Sequence, residues 1–234
     1  MGYKLVAPEK IERKCDLDRP ISEVRFVAVD IETTGSQPPK DRIIEIGAVE
    51  VQGYSLGGTF REFVNPHRKL PPFISRLTGI SNSTLDGQRE AEEVLPEFLD
   101  FLGDAVLVAH FAAFDFKFLS IEALRAAGRR LENHVLCTCR LARRIHWFLP
   151  SKGLDAITHY LDIPVNGRHR ALGDAEATAR ILVRFQEYMQ SKQFRESFGY
   201  SNGILTLRDL LTFQDSRIPE SGIPGFERRN GDEH

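Results

Sequence analysis

Phe26-Val27-Ala28-Val29-Asp30-Ile31-Glu32-Thr33-Thr34-Gly35 is the stretch whose reading decides the fold. It opens as an apolar, β-branched run of buried-strand length and closes on a Thr-Thr-Gly turn. Two acids interrupt the apolar run near its end. Side chains on a strand alternate faces with period 2, so Asp30 and Glu32 project together. Carboxylates crowded on one face repel unless a cation sits between them, and hard oxygen donors suit Mg²⁺ or Mn²⁺. The other reading is a strand that runs out into a solvated, charged turn.

Working outward, residues 1–24 carry dense mixed charge with Pro8 and Pro20 and read as an arm or linker. Downstream, Arg42 to Val51 reads as a second strand, Gly53 to Gly58 as a turn, and Thr59 to Val64 as a third strand. The short connections make these antiparallel neighbours in a meander. A Pro-rich loop leads through Ile74–Ser81 to a helix over Glu90–Leu102, which Pro96 kinks or restarts. Ala105-Val106-Leu107-Val108-Ala109 is continuously apolar, as a central parallel strand is. A helix from Phe116 to Ala127 follows, with apolar residues at helical spacing and Gly128 as its stop. His134–Cys139 reads as a short strand, Leu141 onward as helix, Leu154–Leu161 as a short helix, and a strong helix runs from Ala171 or Asp174 to Met189. Strands first, then strand and helix in alternation, give an α/β class: a mixed sheet, antiparallel meander plus parallel strands, flanked by α-helices. This core spans residues 25–190. Residues 191–234 form a partly loose extension with one helix over Thr206–Phe213.

Composition narrows the function classes. The 234 residues carry a formal net charge of −2, so no global basic field attracts a polyanion, and nucleic-acid binding has to be local. No apolar run reaches the roughly 18 residues that span a membrane, and the N-terminus lacks the apolar centre of a secretory signal. Cys15, Cys137 and Cys139 make an odd count that argues against a disulfide framework and for a reducing, cytoplasmic setting. Cys137-Thr138-Cys139 has no second pair at zinc spacing and reads as buried strand cysteines.

Further acids stand at element ends: Asp115 where the central strand passes into a helix, and Asp174 at the start of the last strong helix. Each alone also fits a helix-capping role. His169, in an Arg-flanked loop, is an exposed loop residue or a proton acceptor suited to neutral pH. Clusters Arg125, Arg129, Arg130 and Arg140, Arg143, Arg144 either guide a phosphate backbone or form solvated helix faces.

Taken jointly, Asp-x-Glu-Thr-Thr-Gly at 30–35, His-x-Ala-x-Phe-Asp at 110–115 and Arg-His-x-Ala-Leu-x-Asp-Ala at 168–175 resemble the DnaQ-like exonucleases. These form the DEDDh branch of the RNase H-like superfamily, which includes the proofreading subunit of bacterial DNA polymerase III. The resemblance covers roughly Arg25 to Met189, with Ile43–Val49 and Leu77–Ile80 as supporting fragments. It implies a 3′→5′ exonuclease acting on single-stranded or frayed DNA 3′ ends, with two Mg²⁺ (or Mn²⁺) ions held by Asp30, Glu32, Asp115 and Asp174. His169 is the implied general base. Thr33, Thr34 and Gly35 are implied to lie against the terminal nucleotide, the Leu77 loop near the penultimate base, and His110, Phe111 and Phe114 along the substrate. A polymerase or another replication or repair protein is the implied partner. Two positions depart from the family's usual text: Phe111 stands where Asn is frequent, and Cys137 where Asp precedes Thr. An RNA or oligoribonucleotide exonuclease on the same scaffold, and a polymerase-docking module with secondary catalysis, are the alternative readings.

Overall fold

The computed structural model describes residues 16–197 and 204–217. The first strand, β1 (Arg25–Thr33), lies in the middle of the sheet. On one side it pairs antiparallel with β2 (Ile43–Gln52), which pairs antiparallel with β3 (Ser55–Phe63). Two short helices follow, α1 (Pro72–Thr78) and α2 (Asn82–Leu85), then α3 (Ala91–Leu102). The next strand, β4 (Val106–Ala109), runs parallel to β1 on its other side. After α4 (Ala113–Ala127) comes β5 (Val135–Cys137), parallel to β4. Among the described residues, helices α5 (Thr138–Ile145), α6 (Leu154–Tyr160), α7 (Ala171–Gln190), α8 (Lys192–Ser197) and α9 (Leu207–Asp215) follow. Sheet order is β3-β2-β1-β4-β5, a mixed sheet flanked by helices as the strand pattern predicts, and of the RNase H-like kind that the resemblance implies.

The period-2 alternation of β1 builds two cores. Phe26 and Ala28 face the helices α5, α6, α7 and α9, while Val27, Val29 and Ile31 face α3 and α4. Asp30 and Glu32 continue the first set, so both acids belong to the α7 side of the sheet. Because β1 and β4 run parallel, their C-terminal ends sit together, where ligands bind in open α/β sheets. On β2, Gly47 is required by a close approach: a Cβ there would lie 2.2 Å from the backbone of Ala171 and Leu172. The first turn of α7 therefore rests directly on the sheet.

Several local expectations need correction. Strand β3 begins at Ser55, so Gly57 and Gly58 lie within it and the turn is confined to the residues around Gly53 (φ 60°). Helix α3 runs uninterrupted through Pro96. Helix α4 starts at Ala113, which places Asp115 in its first turn. Cys137 ends β5, but Cys139 is helical, because Thr138 already starts α5; both thiols are buried and free. Cys15, residues 1–15 and the tail beyond 217 lie outside the described residues.

Both flanking segments contribute to the core where they are described. Ile21 and Val24 are fully buried in the same cluster as Leu207, Leu210 and Phe213 of α9, and Pro20 pairs with Thr206. The amide of Gln214 on α9 accepts from the Cys137 N–H (2.9 Å) and donates to the Val135 carbonyl (2.9 Å). It thus satisfies the free edge of β5, where unpaired backbone groups would otherwise be costly. No described helix is long and apolar enough to cross a membrane.

Candidate active site

Three acids from two distant parts of the sequence meet at the C-terminal end of β1. One oxygen each from Asp30, Glu32 and Asp174 all lie within 4.8 Å of one another. Asp115 completes the group from the first turn of α4: the backbone N–H groups of Ile31 and of Asp115 itself donate to its carboxylate. Burial dominates their electrostatics and mutual repulsion adds to it. Burial pushes Asp30 well above the carboxylate range, with Asp115, Asp174 and Glu32 reinforcing the shift. Burial raises Glu32 to about 7 and Asp115 to about 8, and raises Asp174 against the opposing charge of Arg168.

This cluster fits a divalent cation. Asp174 Oδ1 is buried and has no hydrogen-bond partner, which a bound ion would supply. All four donors are carboxylate oxygens, the ligands of hard cations.

His169 has φ 60°, and its backbone N–H donates to Asp174 Oδ2 at 3.3 Å. Its ring lies near enough to Asp155 and Asp174 to favour their charged forms. The loop that carries it is pinned to the sheet by Glu45, which is wholly buried. Glu45 accepts from Arg170 Nε (3.0 Å) and Nη2 (2.9 Å), from the Ala171 N–H (3.2 Å) and from Arg61 Nε (3.2 Å). Glu45 therefore holds the two residues between His169 and Leu172 in place.

A cavity of about 400 Å³ opens beside the acids, lined by residues that include Asp30, His110, Phe111, Asp155, Arg168 and Asp174. The other residues singled out from the sequence divide by exposure. His110 is buried, and both ring nitrogens are engaged: Nε2 donates to the Lys152 carbonyl (2.8 Å), so Nδ1 accepts from the Thr138 hydroxyl (2.9 Å). Burial lowers its pKa to about 4, which keeps it neutral. Thr33 and Thr34 are also buried: the Thr33 hydroxyl donates to the Gly35 carbonyl (2.5 Å), and Thr34 Oγ1 accepts from the Arg42 N–H (3.0 Å). Gly35 lies against Asp41, whose carboxylate would be 2.4 Å from an added Cβ. Leu77, Phe111 and Phe114, by contrast, present large apolar surface to solvent, and Phe111 has φ 66°.

The arginine clusters are mostly engaged within the fold. Arg125 pairs with Glu92 and Glu122, Arg129 with Asp100 and Arg140 with Asp215, while Arg144 donates to the Ser216 carbonyl. Sequence reasoning missed three participants: Glu45, Asp155 and Arg168. Arg168 stands in the sequence only as a flank of His169, and Asp155 only as one residue of the short helix over Leu154–Leu161.

An acid quartet of this kind on an RNase H-like sheet defines a nuclease of the DEDDh type. The RNase_T exonuclease family matches residues 27–182, and the chain belongs to that family, in its DnaQ-like branch. The DNA polymerase III subunit epsilon of Aquifex aeolicus is 40% identical over 167 residues, 71% of this chain and 83% of that protein. The PolC-type DNA polymerase III of Caldanaerobacter subterraneus is 40% identical over 188 residues, 80% of this chain but only 13% of the polymerase. The PolC-type relative from Thermotoga maritima is likewise covered over 14% of its length. Among solved structures, the nuclease domain of 3′hExo, a DEDDh family member bound to rAMP, superposes with TM-score 0.61 at 22% identity, covering 71% of this chain and 93% of that one. Escherichia coli Exonuclease I in complex with a dT13 oligonucleotide gives TM-score 0.63 at 17% identity, covering 76% and 43%. These two likenesses concern the fold. Divalent metals are typical of this family, and the clustered acids accord with that.

Proposed function

We propose that the chain is a 3′→5′ exonuclease that shortens single-stranded or frayed DNA ends and releases nucleoside 5′-monophosphates. Two Mg²⁺ or Mn²⁺ ions would be held by Asp30, Glu32, Asp115 and Asp174. The observation that carries this reading is the convergence of Asp30, Glu32 and Asp174 within 4.8 Å, with one Asp174 oxygen left unpartnered. DNA is favoured as substrate by the 40% identity to relatives named as DNA polymerase III epsilon and PolC. The same relatives support a polymerase, or another replication or repair protein, as partner. The free buried cysteines accord with a reducing, cytoplasmic setting.

Bound divalent ions supply a lowered pKa for the attacking water and neutralise charge on the phosphate and the departing oxygen. The protein's own groups do the rest. Asp30, at the C-terminal end of β1, would hold the ions together with Glu32, Asp115 and Asp174. His169 accepts the proton as the water oxygen bonds to phosphorus and the bond to the 3′-oxygen breaks, a role worth roughly 10²–10⁴-fold. Phe111, Phe114 and Leu77 offer exposed apolar faces for bases. Thr33, Thr34 and Gly35 shape the turn beneath the terminal nucleotide. His110, itself in the cavity lining, fixes the loop around Lys152 that forms one wall of the cavity.

The test is a time course on 5′-labelled DNA and RNA oligonucleotides of one sequence, with Mg²⁺, Mn²⁺ or EDTA. Expected is a ladder shortening from the 3′ end of DNA, absent in EDTA and absent for Asp30→Asn. Faster loss of the RNA would move the assignment to an oligoribonucleotide exonuclease. Intact oligonucleotides under every metal would overturn the catalytic reading.

A further inference from the structure

Arg168 sits where a cation is wanted. Its Nη1 donates to Asp174 Oδ2, and its Nε donates to Asp155 Oδ1 at 2.5 Å. The two acids come from different helices, α7 and α6, so the guanidinium spans the cavity that Asp30 also lines. They also differ in setting: the Asp155 side chain is 73% exposed, that of Asp174 6%. One half-exposed arginine is thus shared between a solvated acid and a buried one. It engages a single oxygen of Asp174 and leaves the other, Oδ1, without a partner. A divalent ion on Asp30, Glu32 and Asp174 would enter the same few ångströms, and two cations cannot share Asp174 without strong repulsion.

We propose that Arg168 is a displaceable internal counter-ion. It neutralises the buried end of the acid cluster when no divalent ion is bound, and withdraws onto Asp155 when one arrives. Asp155 is therefore the outer perch that lets the arginine leave Asp174 without becoming unpaired. This inference rests on the divalent-cation reading above and adds a competition to it: the protein's own positive charge sets how readily the site loads. An arginine that only positioned Asp174 for the metal would behave oppositely, since its loss would weaken binding.

The experiment is a calorimetric titration of the full chain with Mn²⁺, without nucleic acid, for wild type, Arg168→Gln, Asp155→Asn and the double variant, with thermal melts in EDTA and in saturating Mn²⁺. Arg168→Gln is expected to bind Mn²⁺ on the order of fivefold more tightly, the scale of coupling in a partly exposed ion pair. It should also melt several degrees below wild type in EDTA, with the gap closing in Mn²⁺. Asp155→Asn should bind more weakly, and that effect should vanish in the Arg168→Gln background, because Asp155 acts through the arginine. Equal or weaker binding by Arg168→Gln, an unchanged melt in EDTA, or an Asp155→Asn effect that persists in the double variant overturns the proposal. Failure of wild type to bind Mn²⁺ would instead remove the metal reading itself.

Discussion

Glu45→Ala is the substitution that most directly separates the scaffold of the site from its chemistry. Glu45 is fully buried and accepts four hydrogen bonds, three of them from Arg170 and Ala171, where the loop carrying His169 enters α7. Breaking a buried ion pair by removing one partner typically costs about 3–5 kcal/mol. Here the stranded partners are not deeply buried: the Arg170 and Arg61 side chains are 31% and 47% exposed and can regain water. The buried Ala171 N–H cannot, and an unsatisfied donor costs about 1–3 kcal/mol. The expected net loss is about 2–3 kcal/mol, read by urea denaturation in EDTA. Activity should fall further than stability alone accounts for, because a shift of about 1 Å in catalytic geometry can cost about 10²-fold. Measured where the variant is still fully folded, kcat should drop at least about tenfold. Glu45→Gln, which keeps the shape and one acceptor, should lie between. A loss below about 1 kcal/mol with kcat within about twofold of wild type would refute the claim that β2 positions this loop.

Other consequences are as direct. His169→Ala should lower kcat by roughly 10²–10⁴-fold while leaving Mn²⁺ binding in place, and should flatten the pH–rate profile; wild-type rates across pH 6–9 would remove it as the base. Gly47→Ala would force a Cβ to within 2.2 Å of the α7 backbone, so the variant should unfold at least about 3 kcal/mol more easily or lose metal binding as α7 shifts. A neutral outcome would mean that the helix is not seated as described. Burial, with Lys152 adding to it, lowers His146 to about 4, below its unfolded value near 6.5. The unfolded chain therefore binds the extra proton first, and stability is present above about pH 6.5 and lost as pH falls toward 4, by about 3 kcal/mol. His146→Phe should remove that part of the acid limb and leave the similar contribution of His110, whose folded value is also about 4. An unchanged pH dependence of unfolding would contradict this.

The strand periods and the acid spacing were legible in the sequence because each is a local rule with a global consequence. Alternation along β1 puts Asp30 and Glu32 on one face whatever surrounds them. A continuous apolar run such as 105–109 has few places to go except the middle of a parallel sheet. What stayed hidden depends on contacts made at long range. Ser55 to Gly58 has a turn's composition, yet it is strand because β2 supplies its pairing partners, Leu56 opposite Val51 among them. Cys139 lies in an apolar stretch of strand character, but β5 ends at Cys137 where its register with Ala109 ends. Ile21 and Leu207 are ordinary residues in charged or loose-looking segments, and only their meeting on the face of α5 and α7 makes them core. The same holds within the site. Glu45 is, in the sequence, only one residue of the second strand, and nothing in its own segment announces two arginines, one of them 125 residues away. Arg168 and Asp155 lie 13 residues apart on different elements, and their pairing across the cavity is a product of folding. The motif singles out the candidate groups because their residue types stand at fixed spacing. The groups that balance charge and hold position are chosen by the folded surroundings, where any residue that reaches will serve.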